Sequence, residues 1–232
     1  ETALYGGQAL GGVINLVSKY PGSEPSGELI LNATTREGQD ISGYGEAKLN
    51  NLFRSSFLAN VSRQSAQDLD EDQWIDMPSY HRVALRPRLF FESDEGTTAL
   101  LTMGVMNEDR QGGTVPNGLT PNGKSFPQDL KTRRLDAGIK LSHPINDAIS
   151  LEVRASSMRQ NHDHVFGDRL ETDRHETQLL EVSVVRNSNR ATWVGGLAYQ
   201  DDHYRADVLP SFDYHYRVPA LFGQFDYDLS DD

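Results

Sequence analysis

Residues 132–160, TRRLDAGIKLSHPINDAISLEVRASSMRQ, hold two segments in which apolar and polar side chains alternate, separated by a short turn. In the first segment the apolar positions are Leu135, Ala137, Ile139 and Leu141, and the residues between them are charged, polar or glycine. A period of two indicates a β-strand, because successive side chains of a strand point to opposite faces of its sheet. The turn HPINDA is rich in the residues that tight turns require. The stretch therefore predicts two strands, each with one apolar face and one charged face.

The same alternation recurs along the chain and predicts ten strands. They span about residues 26–36, 41–50, 53–66, 80–92, 98–110, 132–142, 148–160, 176–187, 191–202 and 216–229. Short turns follow the second, fourth, sixth and eighth segments, and long polar loops follow the third, fifth, seventh and ninth; only the first hairpin breaks this rule. Long loops at one end and short turns at the other are typical of outer-membrane β-barrels. Alternation alone also fits a soluble β-sandwich, but a sandwich has no reason to sort its loops in this way.

The polar face of the predicted strands carries charges of both signs. Arg82, Arg86 and Arg88 share one face of one strand. Other same-face pairs are Glu46 with Lys48, Asp136 with Lys140, and Glu152 with Arg154. In a barrel these faces would line a wet or plugged lumen, where charges are hydrated or paired.

Composition narrows the function classes. The 232 residues include 34 Asp and Glu against 22 Lys and Arg, which argues against nucleic acid as a partner because phosphate binding needs clustered surplus cations. The absence of cysteine excludes disulfides and thiolate chemistry from this chain. No apolar run reaches the roughly 18 residues of a membrane-spanning helix, whereas a spanning β-strand needs only about 9 to 11 residues, of which alternate ones are apolar.

Residues 3–19, ALYGGQALGGVINLVSK, resemble the end of the plug domain in TonB-dependent outer-membrane receptors, just before the barrel begins. Mild departures from the usual pattern occur at Gln8, Leu10, Val17 and Ser18. The residues that carry the resemblance are Ala3, Leu4, Tyr5, Gly6, Ala9, Gly11, Gly12, Val13, Ile14, Asn15 and Lys19.

The resemblance implies a plug end at residues 1–20, a linker at 21–25 and the N-terminal part of an all-β antiparallel transmembrane barrel at 26–232. It also implies a receptor in the bacterial outer membrane, surrounded by lipid, that takes up a scarce large solute. A ferric siderophore is the most frequent cargo of this family, and cobalamin and oligosaccharides are alternatives. TonB would energise transport through a plug segment that lies outside this sequence. No enzymatic reaction, cofactor or resident metal is expected.

Ligand contacts are expected at the extracellular loops and the plug apex. Aromatic and cationic side chains there can hold an anionic chelate by stacking and hydrogen bonding. The candidate contacts are Trp74, Gly112, Gly113, Phe126, His162, His164, Phe166, Tyr204 and Phe212.

Three further patterns have more ordinary interpretations. GLTPNGKS at 118–125 satisfies the P-loop expression but lacks the strand and helix that a phosphate cradle needs, so an exposed loop is predicted. DLDEDQ at 68–73 begins like a calcium loop, but Gln73 and Ser79 occupy the positions of the required Gly and Glu, which favours a solvated acidic loop. His162, His164 and His175 lie near Asp163 and Asp168 in sequence, which suggests a metal site or an Asp/His site like that of ten-stranded outer-membrane proteases. An exposed polar loop is the preferred interpretation.

Overall fold

A computed structural model of the chain describes residues 19–229, which form one antiparallel sheet of ten strands paired in chain order. The strands are β1 (Ser26–Ala33), β2 (Gly38–Lys48), β3 (Phe53–Gln64), β4 (Ser79–Glu92), β5 (Thr98–Gly113), β6 (Pro127–Asn146), β7 (Ile149–Phe166), β8 (Arg169–Asn187), β9 (Ala191–Ala206) and β10 (Tyr214–Tyr227). A 3-10 turn, Pro210–Phe212, precedes β10. The predicted strand number and the antiparallel all-β class are confirmed. Tyr5, Gly6, Gly11, Gly12, Val13, Ile14 and Asn15 lie outside the described residues.

The two ends of the sheet carry different connections. One end, called the loop end here, holds the long connections at 65–78, 114–126 and 207–213. The other, the turn end, holds only the short connections at 49–52, 93–97, 147–148 and 188–190. The predicted sorting of loops is therefore present.

The predicted long loop at residues 161–174 is wrong. β7 continues to Phe166 and β8 begins at Arg169, so Gly167 and Asp168 form a tight hairpin turn. Gly167 has φ +63°, a conformation that glycine adopts without steric cost. The alternation of hydropathy stops before the strands do, because here both faces carry polar side chains while the backbone pairing continues.

The side of the sheet called the apolar face is a continuous band of aliphatic and aromatic residues. Strand register aligns Leu197, Val182, Val153 and Leu141 on four adjacent strands. These side chains are not packed against a second layer: Leu197 is 63% exposed and Leu221 on β10 is 82% exposed. A two-sheet sandwich would bury this face, and the described residues form a single sheet. A β-sheet with so large an exposed apolar face fits a lipid environment.

The opposite side, the polar face, holds ion pairs that join different strands. Arg86 on β4 donates two hydrogen bonds to Asp136 on β6, at 2.7 and 2.9 Å, and Arg154 on β7 contacts Glu181 on β8 at 3.0 Å. The predicted charged face is therefore present, and its ion pairs join different strands as well as residues of one strand, such as Arg134 and Asp136 at 3.3 Å.

Residues 19–26 contact the polar face at its turn end. Glu46 Oε1 accepts hydrogen bonds from Lys19 Nζ at 3.1 Å and Ser26 Oγ at 2.8 Å. Arg54 donates to the carbonyl of buried Pro21 at 3.0 Å. The predicted linker at 21–25 thus lies against the polar face of β2 and β3.

The sheet is open, since β1 and β10 occupy its edges and do not pair with each other. Residues 19–229 therefore do not form the closed barrel that a ten-stranded outer-membrane protease requires. No helix among residues 19–229 is long and apolar enough to cross a membrane.

Candidate ligand-binding site

The polar face near the loop end gathers aromatic, charged and histidine side chains along seven strands, β4 to β10. Strand register aligns Arg82, Glu108, Thr132, His162 and Asp173 in one row across β4 to β8. The adjacent row toward the loops contains Tyr80, Arg110, Leu130 and His164. We call these rows, with Tyr204 and Tyr214 beside them, the vestibule wall.

The β4–β5 part of the vestibule wall is cationic. Buried Glu108, 6% exposed, accepts from Arg82 and lies 3.1 Å from Arg110 Nη2. The ring of Tyr80 lies 5.7 Å from the Arg82 guanidinium carbon and 5.8 Å from that of Arg110. Arg110 Nε is shielded from solvent and has no hydrogen-bond partner. Two cations against one carboxylate leave a net positive charge, which favours an anionic ligand.

The β7–β8 part of the vestibule wall is formed by histidines. His162 Nδ1 lies 2.9 Å from Asp173 Oδ1, and its Nε2 lies 2.8 Å from the Gln160 side-chain amide. The His164 ring lies 5.4 Å from that of His162 and 5.5 Å from that of Phe166, measured between centroids. The Gly167 turn produces this arrangement, because it sets the register that places Asp173 opposite His162.

The β9–β10 part of the vestibule wall is a tyrosine stack. Tyr204 and Tyr214 stack at 5.5 Å, and Tyr214 stacks on Tyr216 at 4.9 Å. His175 joins them, with its Nε2 at 2.6 Å from Asp202 Oδ1 and at 3.3 Å from the Tyr214 hydroxyl. Flat aromatic faces beside hydrogen-bonding groups suit a planar ligand with polar edges.

The long loops add aromatic residues above the vestibule wall. Trp74 of the β3–β4 loop stacks on Phe126 of the β5–β6 loop, with centroids 5.9 Å apart. A Cβ on Gly167 would lie 2.9 Å from the Phe126 ring, so the β5–β6 loop packs closely on the β7–β8 hairpin. Phe212, 63% exposed, lines a small cavity with Tyr204 and Leu209.

The predicted contact residues therefore lie at one end of the sheet, but not all of them on loops. His162, His164 and Phe166 lie on β7 and Tyr204 lies on β9. Gly112 and Gly113 end β5, where Gly113 has φ +87° and an added Cβ would lie 1.9 Å from the Phe126 carbonyl oxygen. Gly113 thus shapes the loop backbone. That these residues contact ligand stays a prediction.

Sequence reasoning missed Asp173, Tyr214 and the pairing of His175. It placed the histidines near Asp163 and Asp168, but Asp163 alternates with His162 and so lies on the other face of β7. Asp168 lies in the hairpin turn. Recognition of the turn at Gly167 would have identified the correct carboxylate, because that turn fixes which β8 residue faces His162.

The other two motifs lie in loops, as predicted. Residues 118–125 form a loop with a turn closed by Thr120 and Lys124, and β6 follows. In the acidic loop, Asp68 and Asp76 accept hydrogen bonds from backbone amides of that same loop, and Asp72 accepts one from the amide of Trp74.

Comparison with known proteins agrees with this architecture. No protein-family model matches the chain. The chain is 22% identical over 254 aligned residues to the ferrichrome outer membrane transporter and phage receptor of Escherichia coli, and the match covers 98% of this chain and 32% of that protein. The chain thus spans about a third of the length of this relative.

Solved structures show the same fold. A variant of the ferric enterobactin receptor of Pseudomonas aeruginosa aligns with a TM-score of 0.75 at 14% identity, covering 99% of this chain and 41% of the receptor. The siderophore receptor PiuA of Acinetobacter baumannii aligns with a TM-score of 0.64 at 14% identity, covering 90% of this chain and 41% of PiuA.

These relatives are receptors and transporters rather than enzymes, as the sequence led us to expect. The resemblance drawn from residues 3–19 and the ten-strand pattern is confirmed, and the outer-membrane location agrees with it. The ten-stranded sheet of this chain is similar to part of the β-barrels of outer-membrane TonB-dependent receptors.

Proposed function

We propose that the protein carrying this chain is an outer-membrane receptor for a ferric siderophore and that TonB energises its uptake. The vestibule wall is the observation that carries the proposal. It combines aromatic stacks, a surplus of Arg over carboxylate on β4 and β5, and hydrogen-bonding side chains on the face away from lipid. The relatives support it, since their names refer to ferrichrome, ferric enterobactin and siderophores.

The chemistry of the vestibule wall matches an anionic iron chelate. Arg82 and Arg110 present guanidinium groups whose carbons lie 5.7 and 5.8 Å from the centre of the Tyr80 ring, and such groups bind anionic oxygens through charge-assisted hydrogen bonds. Tyr204 and Tyr214 offer stacked rings for flat catecholate or aryl groups. We propose that cargo arriving from outside first contacts Trp74, Phe126 and Phe212 on the loops and then these wall residues.

The remaining parts of the proposed mechanism concern neighbours of this chain. The apolar face contacts outer-membrane lipid. The plug end at residues 1–20 continues into the linker held by Glu46 and Arg54, so the plug would be tethered to the turn end of the wall. Force from TonB would act on an earlier plug segment and would open a path along the polar face.

Uptake in cells tests the function. Cells carrying or lacking the full-length gene are grown under iron limitation, with TonB present or removed, and the accumulation of radiolabelled ferric siderophore is measured. The proposal predicts that uptake is lost when either gene is removed. Unchanged uptake in both deletions would contradict it, and labelled cobalamin and oligosaccharide would then identify the alternative cargo.

A matched substitution tests the site. Tyr204→Ala combined with Tyr214→Ala removes the stack, and Tyr199→Ala removes a tyrosine of the same strand β9 that lies on the apolar face. We expect cargo affinity to fall about tenfold or more in the double variant, since each lost stacking contact is worth about 1 kcal/mol. Tyr199→Ala should retain wild-type affinity. Equal affinities for the double variant and the control would show that the tyrosine stack of the vestibule wall does not bind the cargo.

A further inference from the structure

His162, His164 and Asp173 bring three metal-ligand atoms within 4.8 Å of one another on the polar face. We propose that these residues bind a divalent transition-metal cation of the Zn²⁺ or Cu²⁺ type. The site depends on side-chain geometry alone, and it does not require that the cargo be a siderophore.

Backbone geometry fixes the three residues before any cation arrives. His162 and His164 are two residues apart on β7, so their side chains project from the same face. Asp173 is directly opposite His162 in the β7–β8 pairing, which the tight turn at Gly167 holds in register. Ligands on two paired strands give a more rigid site than ligands on a loop would.

The spacing of the ligand atoms fits a first coordination shell. Zinc binds nitrogen and oxygen at about 2.0 to 2.2 Å, so two ligands of a tetrahedral site lie about 3.3 Å apart. His162 Nδ1 and Asp173 Oδ1 are 2.9 Å apart and need to separate by only a few tenths of an ångström. Rotation of the His164 ring about its side-chain bonds brings the third nitrogen into place, because the atoms already lie within 4.8 Å.

Two neighbouring contacts support a ligand role. His164 Nε2 is shielded from solvent and has no hydrogen-bond partner, and a buried polar atom of this kind is rare in folded proteins. A cation would satisfy it. The second nitrogen of His162, Nε2, lies 2.8 Å from the side-chain nitrogen of Gln160, and a flip of this amide would present its oxygen to a ring N–H. Metal-binding histidines usually have such an outer partner to orient the ring.

The donor set selects the cation. Two imidazoles and one carboxylate suit Zn²⁺, Cu²⁺ or Ni²⁺, whereas Ca²⁺ and Mg²⁺ prefer oxygen ligands throughout. Three protein ligands leave one coordination position for water or for a donor atom of another molecule. A cation bound there would also join β7 to β8 near their hairpin turn, where the vestibule wall faces the outside.

Calorimetry on the intact, detergent-solubilised receptor tests the site with Zn²⁺ alone as the probe and no siderophore present. The protein is first stripped with chelator. We compare wild type with His164→Ala, Asp173→Asn and the matched control His143→Ala. His143 lies on β6, bonds to Thr97 at 2.8 Å and belongs to no three-ligand cluster within residues 19–229.

Wild type and His143→Ala should each bind one equivalent of Zn²⁺. His164→Ala and Asp173→Asn should bind Zn²⁺ at least about tenfold more weakly. Heat-modifiable migration on gels confirms that each variant is folded, and Asp173→Asn keeps the side-chain volume. Equal Zn²⁺ binding by wild type and a folded site variant would overturn the proposal, as would an equal loss in His143→Ala. A siderophore receptor without this site would still transport its cargo, so the two proposals fail separately.

Discussion

Gly104 should be required for the ion pair that joins β4 to β6. Arg86 crosses over β5 at Gly104 to reach Asp136, which is paired with Gly104 in the sheet. A Cβ at this position would lie 2.5 Å from Arg86 Nη2 and 2.7 Å from Asp136 Oδ1. Because both atoms are at the ends of side chains, Gly104→Ala should displace the ion pair and leave the backbone in place.

The expected loss follows from the two hydrogen bonds. A hydrogen bond to a charged group contributes about 1.5 to 3 kcal/mol when it is well shielded. The Asp136 side chain is 14% exposed, but the Arg86 side chain is 35% exposed, so solvent screening lowers the sum. We expect Gly104→Ala to lower the free energy of unfolding by about 2 kcal/mol.

A double-mutant cycle separates the ion pair from other effects of the methyl group. Urea unfolding of the purified intact protein in detergent gives the free energies of unfolding. In the background Arg86→Gln/Asp136→Asn, Gly104→Ala should be neutral or should stabilise by up to about 1 kcal/mol, because alanine loses less backbone entropy than glycine. If Gly104→Ala lowers the free energy of unfolding equally in both backgrounds, its effect does not arise from the ion pair of Arg86 and Asp136.

Two further predictions test the faces and the linker. Leu197→Arg places a charge in the apolar face and should cost about 2 to 4 kcal/mol and reduce the fraction assembled in the outer membrane, as read from heat-modifiable migration. Ala198→Arg on the polar face should assemble normally, and equal assembly of the two variants would contradict the assignment of faces. Glu46→Ala removes the acceptor of Lys19, so trypsin should cleave after Lys19 several-fold faster than in wild type or in the control Glu28→Ala. An unchanged cleavage rate would show that Glu46 does not hold the linker.

The fold could be predicted largely from the sequence because lipid-facing strands must alternate. The spacing of Ile149, Leu151 and Val153 identifies one face of β7 from the local sequence alone. The alternation of apolar and polar residues ends beyond Arg159. From there to the turn, β7 extends beyond the apolar band, and both of its faces carry polar residues. The hairpin at Gly167 was therefore interpreted as a long loop, although hydrogen bonding continues to the turn.

The candidate site was predicted only in part. The shared face of His162 and His164 follows from their spacing, but their carboxylate partner depends on strand register. The cross-strand pair of Arg86 and Asp136 lies 50 positions apart in sequence, and no local pattern records it. The one sequence feature connected with this ion pair is Gly104 on β5, the strand between β4 and β6.

The most direct test of the account is whether alternate residues of β9 face lipid and lumen. Single cysteines are introduced from 193 to 200 in a chain that has no cysteine of its own, and each carries a nitroxide label in the intact protein in lipid vesicles. Electron paramagnetic resonance then measures collision with oxygen, which concentrates in lipid, and with a water-soluble nickel chelate. The account predicts a period of two, with oxygen contact highest at Trp193, Leu197 and Tyr199 and nickel contact highest at Ala198 and Gln200. Equal access to the water-soluble reagent at every position would contradict a membrane barrel.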